Sequence, residues 1–235
     1  MNDKLDVKTA IKDTLPTVFG YIGIGLAFGI IARSTGFNPL MVGAMSLFIY
    51  AGGAQFITVS MLSSGFPIFS IILATFLINS RMILMSMSLA PFFKRYSFLK
   101  NISIGTFLTD ESFALGMNKQ NYTNGRLTYE WFNAANLVSY FTWVTSSVAG
   151  ALLGGIVKDP KLLGLDFALV AMFIGLLYLQ VISDFTIKKK IQFLVIIVVL
   201  FLVYFGMIFI PSNVLIIVVT LMGCAIGVVL KNVIY

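Results

Sequence analysis

The sequence predicts an all-α polytopic membrane protein, a single transmembrane domain over residues 1–235 with about seven crossing helices. Composition is the first sign: 59% of the residues are hydrophobic and only 11% are charged, where a soluble domain carries about 25% charge. Mean hydropathy is +0.98. The third sign is the stretch from Ser34 to Ser80, which has no charged residue at all. A helix rises about 1.5 Å per residue and a hydrocarbon core is about 30 Å thick, so this run holds two crossings. Ser63-Ser64-Gly65-Phe66-Pro67 is the turn between them.

Residues 1–13 alternate Asp and Lys and predict an interfacial helix. They lack the basic start, short apolar core and small-residue cleavage site of a signal peptide. Thr14–Ala32 is the first span and ends at Arg33; Leu40–Leu62 is the second; Ile68–Ala90 is the third, broken by Pro91 and Lys94-Arg95. Trp131–Val157 and Leu165–Ser183 follow, separated by Lys158-Asp159-Pro160-Lys161. Ile191–Leu230 is too long for one crossing, and Pro211-Ser212-Asn213 is its hairpin.

The segment between Lys100 and Lys119 is apolar except for Asp110-Glu111 at its centre. Thr109 precedes the acids as an N-cap would, and acids in a first turn suit the helix dipole. The segment therefore predicts two short helices, 101–108 and 110–118, meeting at Thr109. Such a broken or re-entrant element survives at membrane depth only where it lines protein or water. The alternative is a surface helix with solvated acids. With seven spans the amino terminus lies outside; if this segment also crosses, it lies inside with Lys4, Lys8 and Lys12. The positive-inside rule places Lys188–Lys190 in the cytoplasm either way.

A shift of 125 residues aligns Gly25 with Gly150, Gly29 with Gly154 and Gln55 with Gln180, and predicts a repeat with halves at about 14–118 and 131–230. Transporters often hold substrate where such repeats meet. Gly25-x-x-x-Gly29, Gly150-x-x-x-Gly154 and Gly223-x-x-x-Gly227 put small residues on one face, which serves close helix packing. Gly52-Gly53 weakens its helix by about 1 kcal/mol per glycine and can open it, freeing backbone groups for a ligand.

Polar groups far from the turns mark the candidate pathway, because lipid makes an unpaired buried polar group costly. They are Gln55, Asn79 and Arg81. Arg81 either snorkels or needs an anion, and Asp110, Glu111 or a substrate carboxylate held as a forked pair qualifies. Trp131, Trp143, Tyr129 and Tyr140 fit an aromatic belt, and Asp184 with Lys188–Lys190 an interface anchor. The net charge of +7 belongs to loops facing anionic lipid rather than to a nucleic-acid surface. The chain has one cysteine, Cys224, and no histidine, so no disulfide, thiolate cluster or usual zinc site is expected. No cofactor is expected, and any proton moved must ride on Asp or Glu. No enzymatic dyad or metal motif is apparent.

Ala51-Gly52-Gly53-Ala54-Gln55-Phe56, Asn79-Ser80-Arg81 with Ser86 and Pro91, Thr109-Asp110-Glu111-Ser112-Phe113 and Leu163-Gly164-Leu165-Asp166-Phe167-Ala168 together resemble the AzlC family, from about Leu15 to Ile226. The resemblance implies the large subunit of a bacterial cell-membrane exporter of leucine, isoleucine and valine. It also implies a small AzlD-like membrane subunit as partner. The family usually has a histidine where this chain has Met82, so proton coupling would fall to Asp110 and Glu111. On this reading Arg81, or amides near Gly52 and Gly53, receives the substrate carboxylate, with Gln55 and Asn79 beside them. Asp110 or Glu111 receives the ammonium or a proton exchanged for it, and Phe48, Phe56 and Met82 line the side-chain pocket. Alternatives are a small-solute or ion channel, which needs neither partner nor alternating access, and a purely structural membrane subunit.

Overall fold

The computed structural model describes residues 1–157, 164, 167–183, 187–210 and 212–234. Among these the regular secondary structure is α-helical throughout, and the chain forms two compact units, Met1–Leu177 and Tyr178–Tyr235. Val7–Ser34, Ile68–Phe93 and Lys189–Phe209 are long and apolar enough to cross a membrane.

The first unit is built on two parallel helices, α1 (Val7–Ser34) and α8 (Tyr129–Leu153). Asp6 caps α1 by accepting the Thr9 amide at 2.7 Å, and the helix begins seven residues before the expected Thr14. Contacts between α1 and α8 advance together along both: Leu5 with Thr128, Tyr21 with Ser146, Gly29 with Gly150, Arg33 with Gly154. A Cβ on Gly29 would sit 2.1 Å from Ser147 O, and one on Gly150 would sit 2.3 Å from Leu26 O. Only glycine lets the backbones approach this closely. We call the end where α1 begins the lower end and the other the upper end.

A helical hairpin enters from each end. α2 (Pro39–Phe48) starts at the upper end, capped by Asn38 with proline in its first turn. It runs down antiparallel to α8: Gly43 lies at Val148, and Leu47 O accepts the Tyr140 hydroxyl at 3.0 Å. The chain turns at Tyr50 (φ +43°), and α3 (Gly52–Ser63) climbs back, with Gly52-Gly53 near Tyr21 and Phe56 against Phe28. The expected single crossing over Leu40–Leu62 is therefore a hairpin reaching only mid-depth. Its cause is local: a left-handed residue followed by two glycines ends one helix and starts another.

α4 (Ile68–Asn79) and α5 (Arg81–Phe93) then descend as one membrane-length rod with an irregular joint at Ser80. There the Ser80 amide is shared between Phe76 O and Leu77 O, and the Ile83 amide bonds Ser80 O, so the turn tightens locally. Pro91, expected to end the span, lies inside α5. The rod reaches the lower end, where Phe93 packs on Phe132 and the Arg95 guanidinium reaches Leu127 O.

The lower hairpin follows. α6 (Phe98–Thr106) rises beside α8, with Lys100 at Glu130, Ser103 at Asn133 and Ile104 at Asn136. α7 (Asp110–Gln120) descends again, from Tyr21 to Asp13. Thr109 and Ser112 form a reciprocal capping box at the turn. The break into two short helices at Thr109 is thus as the sequence predicts, the first running over Phe98–Thr106 rather than 101–108, and the pair returns to the lower end. At the lower end the Lys119 ammonium, fully buried, donates to Asp13 Oδ2 at 2.6 Å and Asn2 O at 2.9 Å, over the Trp131 ring.

The second unit holds the last turns of α9 (Ala168–Ser183) and a hairpin of α10 (Lys189–Phe209) and α11 (Ser212–Ile234). Gly206 faces Leu215 and Gly223 faces Val199, so α10 and α11 run antiparallel. Lys158–Lys161, Leu163, Leu165-Asp166, Asp184, Pro211 and the Gln180 side chain, all used in the sequence reading, lie outside the described residues.

Candidate substrate site

The two hairpin tips and the Ser80 joint meet at mid-length of α1 and α8. α3 starts at Gly52 with Ala51 as N-cap and no capping side chain, so its first amides have no partner within the helix. α5 starts at Arg81, again without a side-chain cap. α7 starts at Asp110. These three helix starts surround a cavity of about 20 Å³ lined by Tyr21, Tyr50, Ala51, Gly52, Gly53, Arg81, Met82, Thr109, Asp110, Glu111 and Trp143. That volume holds about one water molecule.

Charge is arranged unevenly around it. Arg81 Nη2 meets Asp110 Oδ2 at 2.7 Å, and the guanidinium lies 5.4 Å from the Phe173 ring centroid. Arg81 Nε and Asp110 Oδ1 are buried without a hydrogen-bond partner, so each end of the pair keeps one unused polar atom. Glu111 has a different neighbour: its Oε2 accepts the Tyr21 hydroxyl at 2.7 Å, and the Tyr21 hydroxyl oxygen also lies 2.9 Å from Thr109 Oγ1. The chemistry on offer is the unbonded amides at the start of α3, the Arg81 guanidinium, and the carboxylates of Asp110 and Glu111. A small zwitterion presents the complement of these donors and acceptors.

Of the residues singled out by sequence, Gly52, Gly53, Arg81, Met82, Asp110 and Glu111 line this cavity. Gln55 does not. It is fully buried, with its amide nitrogen donating to Ser46 at 3.0 Å and its carbonyl accepting from Trp143 Nε1 at 2.9 Å. It ties the upper hairpin to α8. Asn79 ends α4 with a buried, unpaired Oδ1 and is not among the lining residues. Phe56 belongs to the core around Phe28, Val59 and Trp143. Phe48 is 87% exposed at the end of α2, two residues and so about 200° around the helix from the buried Ser46.

Tyr21, Tyr50 and Trp143 complete the cavity, and sequence alone singled out none of them for it. Tyr21 looks like any span residue, and Trp143 fits a belt position until α1 and α8 are seen to pack.

Apolar helices of membrane length enclosing a charged, nearly closed centre at mid-depth define an integral membrane protein. The chain belongs to the AzlC family: the family profile, AzlC protein, matches residues 16–157. It is 33% identical over 170 residues to the inner membrane protein YgaZ of Escherichia coli, covering 71% of this chain and 69% of that one. It is 28% identical over 171 residues to the branched-chain amino acid transport protein AzlC of Bacillus subtilis, covering 71% and 65%. It is also 28% identical over 200 residues to an uncharacterized membrane protein of Helicobacter pylori, covering 85% and 86%. No solved structure matches.

Proposed function

We propose that this protein is a secondary transporter that exports branched-chain amino acids across the bacterial cell membrane. Coupling to a proton or ion gradient and a small AzlD-like partner subunit complete the proposal. The observation that carries it is the convergence of α3's unbonded amides and Arg81 with Asp110 and Glu111 on one cavity. The amides of Gly52 and Gly53 with the spare Arg81 Nε receive the carboxylate, and the acids receive the ammonium. Met82 is the apolar contact nearest the site. The family's link to branched-chain amino acid transport supports the cargo class. No chemical conversion of the cargo is invoked.

A cavity with room for one water cannot hold leucine, so the described state is closed and cargo must wait for a rearrangement. This favours a carrier over an open channel. In the first unit α1, α4–α5 and α8 each run from one end to the other, while α2–α3 and α6–α7 return to the end they came from. Among the described residues of the first unit, Lys4, Lys8, Lys12, Lys94, Arg95, Lys100, Lys119 and Arg126 lie toward the lower end, against Arg33 at the upper end. The lower end is therefore cytoplasmic.

The test is efflux of radiolabelled leucine from loaded cells, with and without a small partner subunit. Arg81→Gln should abolish efflux at normal membrane abundance. Unchanged efflux removes Arg81 from the site, and absence of efflux by the wild type removes the function.

A further inference from the structure

Asp110 and Glu111 are neighbours in sequence, yet their surroundings divide them. Asp110 is committed to a cation, with Arg81 at 2.7 Å. Among the described residues Glu111 makes no salt bridge; its bonded neighbour is the neutral Tyr21 hydroxyl at 2.7 Å. The titratable and charged groups that face it are Tyr21 from α1, Tyr50 from the upper hairpin turn, Arg81 from α5 and Asp110 on its own helix. Of these only Arg81 is a cation, and it is engaged by Asp110. A carboxylate enclosed this way, beside space for a single water, is costly to leave ionised and alone. It calls for a positive partner that comes and goes.

We propose that Glu111 carries the coupling ion, which is a proton, and that this proton and the ammonium group of the amino acid take turns on its carboxylate. The inference rests on the transport reading above. With the site open to the cytoplasm, protonated Glu111 releases its proton to water, and the ammonium of the incoming amino acid takes its place. No bond in the cargo breaks. With the site open outward, the amino acid leaves and a proton from that side binds the carboxylate oxygen. One amino acid moves out for each proton that moves in. Asp110 stays ionised against Arg81 throughout. Tyr21 is a positioning residue that holds Glu111, with Thr109 Oγ1 2.9 Å from its hydroxyl as the next oxygen along.

Because proton and ammonium compete, the apparent KM for leucine at the loading face should rise about tenfold per pH unit once the proton wins, with the maximal rate unchanged. The experiment uses the full chain, with any small subunit it requires, in liposomes containing a pH-sensitive dye. Leucine efflux, proton influx and leucine–leucine exchange are recorded together. Wild type should move one proton per leucine. Glu111→Gln should lose proton influx and gradient-driven efflux, yet retain exchange with a KM raised about tenfold and independent of pH, since an amide oxygen still accepts from an ammonium. Tyr21→Phe should keep the one-to-one ratio and shift the pH midpoint, which a merely structural tyrosine would not do. Proton-coupled efflux by Glu111→Gln, or a wild-type KM that ignores pH, overturns the proposal. Leucine efflux driven by sodium alone overturns it and leaves the transport reading standing. A wild type that moves no branched-chain amino acid removes the transport reading, and the proton assignment with it.

Discussion

Replacing Gly29 with alanine adds one methyl group at the closest approach of α1 and α8. Its carbon would fall 2.1 Å from Ser147 O and 2.5 Å from Ala151 N, both backbone atoms of α8. Ordinary contact begins near 3.4 Å, so the helices must part by about 1 Å. A side chain could swing aside; a helix backbone cannot. Parting them loosens the packing of Tyr21, Phe28 and Trp143 along the same seam. Overpacking of this kind costs about 1–3 kcal/mol, and alanine recovers about 1 kcal/mol of helix propensity. Rigid backbone contact puts the total at the upper end, a net loss of about 2 kcal/mol. Gly20→Ala on the same helix is the control, because nothing lies within 4 Å of its Cβ. It should be neutral or stabilising by up to about 1 kcal/mol. Thermal unfolding in detergent, followed by the surviving monodisperse fraction, should place Gly29→Ala below wild type and Gly20→Ala level with it or above. Equal midpoints for Gly29→Ala and wild type would show that the seam is not what holds these helices.

Lys119→Met leaves Asp13 buried without its cation and should cost about 3–5 kcal/mol, while Lys119→Met with Asp13→Asn should recover much of that; membrane abundance and thermal midpoint report both. Gln55→Leu strands the Trp143 indole N–H and the Ser46 hydroxyl, at about 1–3 kcal/mol for each unpaired group, and should lower the midpoint before it alters substrate affinity in the surviving protein. The Thr9 hydroxyl and amide, both bonded to Asp6, hold its carboxyl below the ordinary carboxylate value. That cap therefore contributes fully above about pH 4 and is lost as pH falls through the lowered value. Hydrogen exchange at the Thr9 amide should quicken on acidification, and Asp6→Asn should flatten the dependence.

What the sequence disclosed follows where its polar residues fell. Thr109-Asp110-Glu111 broke an apolar stretch with a capping signal, and the break stands there, capping box included. Arg81 in a long apolar run had either to snorkel or to find an anion, and Asp110 is at 2.7 Å. The upper hairpin stayed hidden for the opposite reason. Its turn at Tyr50-Ala51 carries no charge, and hydropathy cannot tell two half-length helices from one full crossing. The glycine pair hinted at unwinding but not at reversal. Lys119 and Asp13 read as flanking charges because burial of an ion pair depends on what covers it, here the first residues of the chain and Trp131. Phe48 and Phe56 lay in one expected span, and the left-handed Tyr50 sends the helices that carry them in opposite directions.

The hairpins have an electrical consequence. Each is a stem rooted at one end of the first unit, with its tip about halfway along α1 and α8. Where water follows both stems, insulation between the two solutions shrinks from the full thickness of the bilayer to the few side chains between Ala51 and Thr109. Most of the membrane voltage then drops over that short gap, at about 2.3 kcal/mol per charge per 100 mV. An ion shifting only from one tip to the other would feel nearly the whole of it.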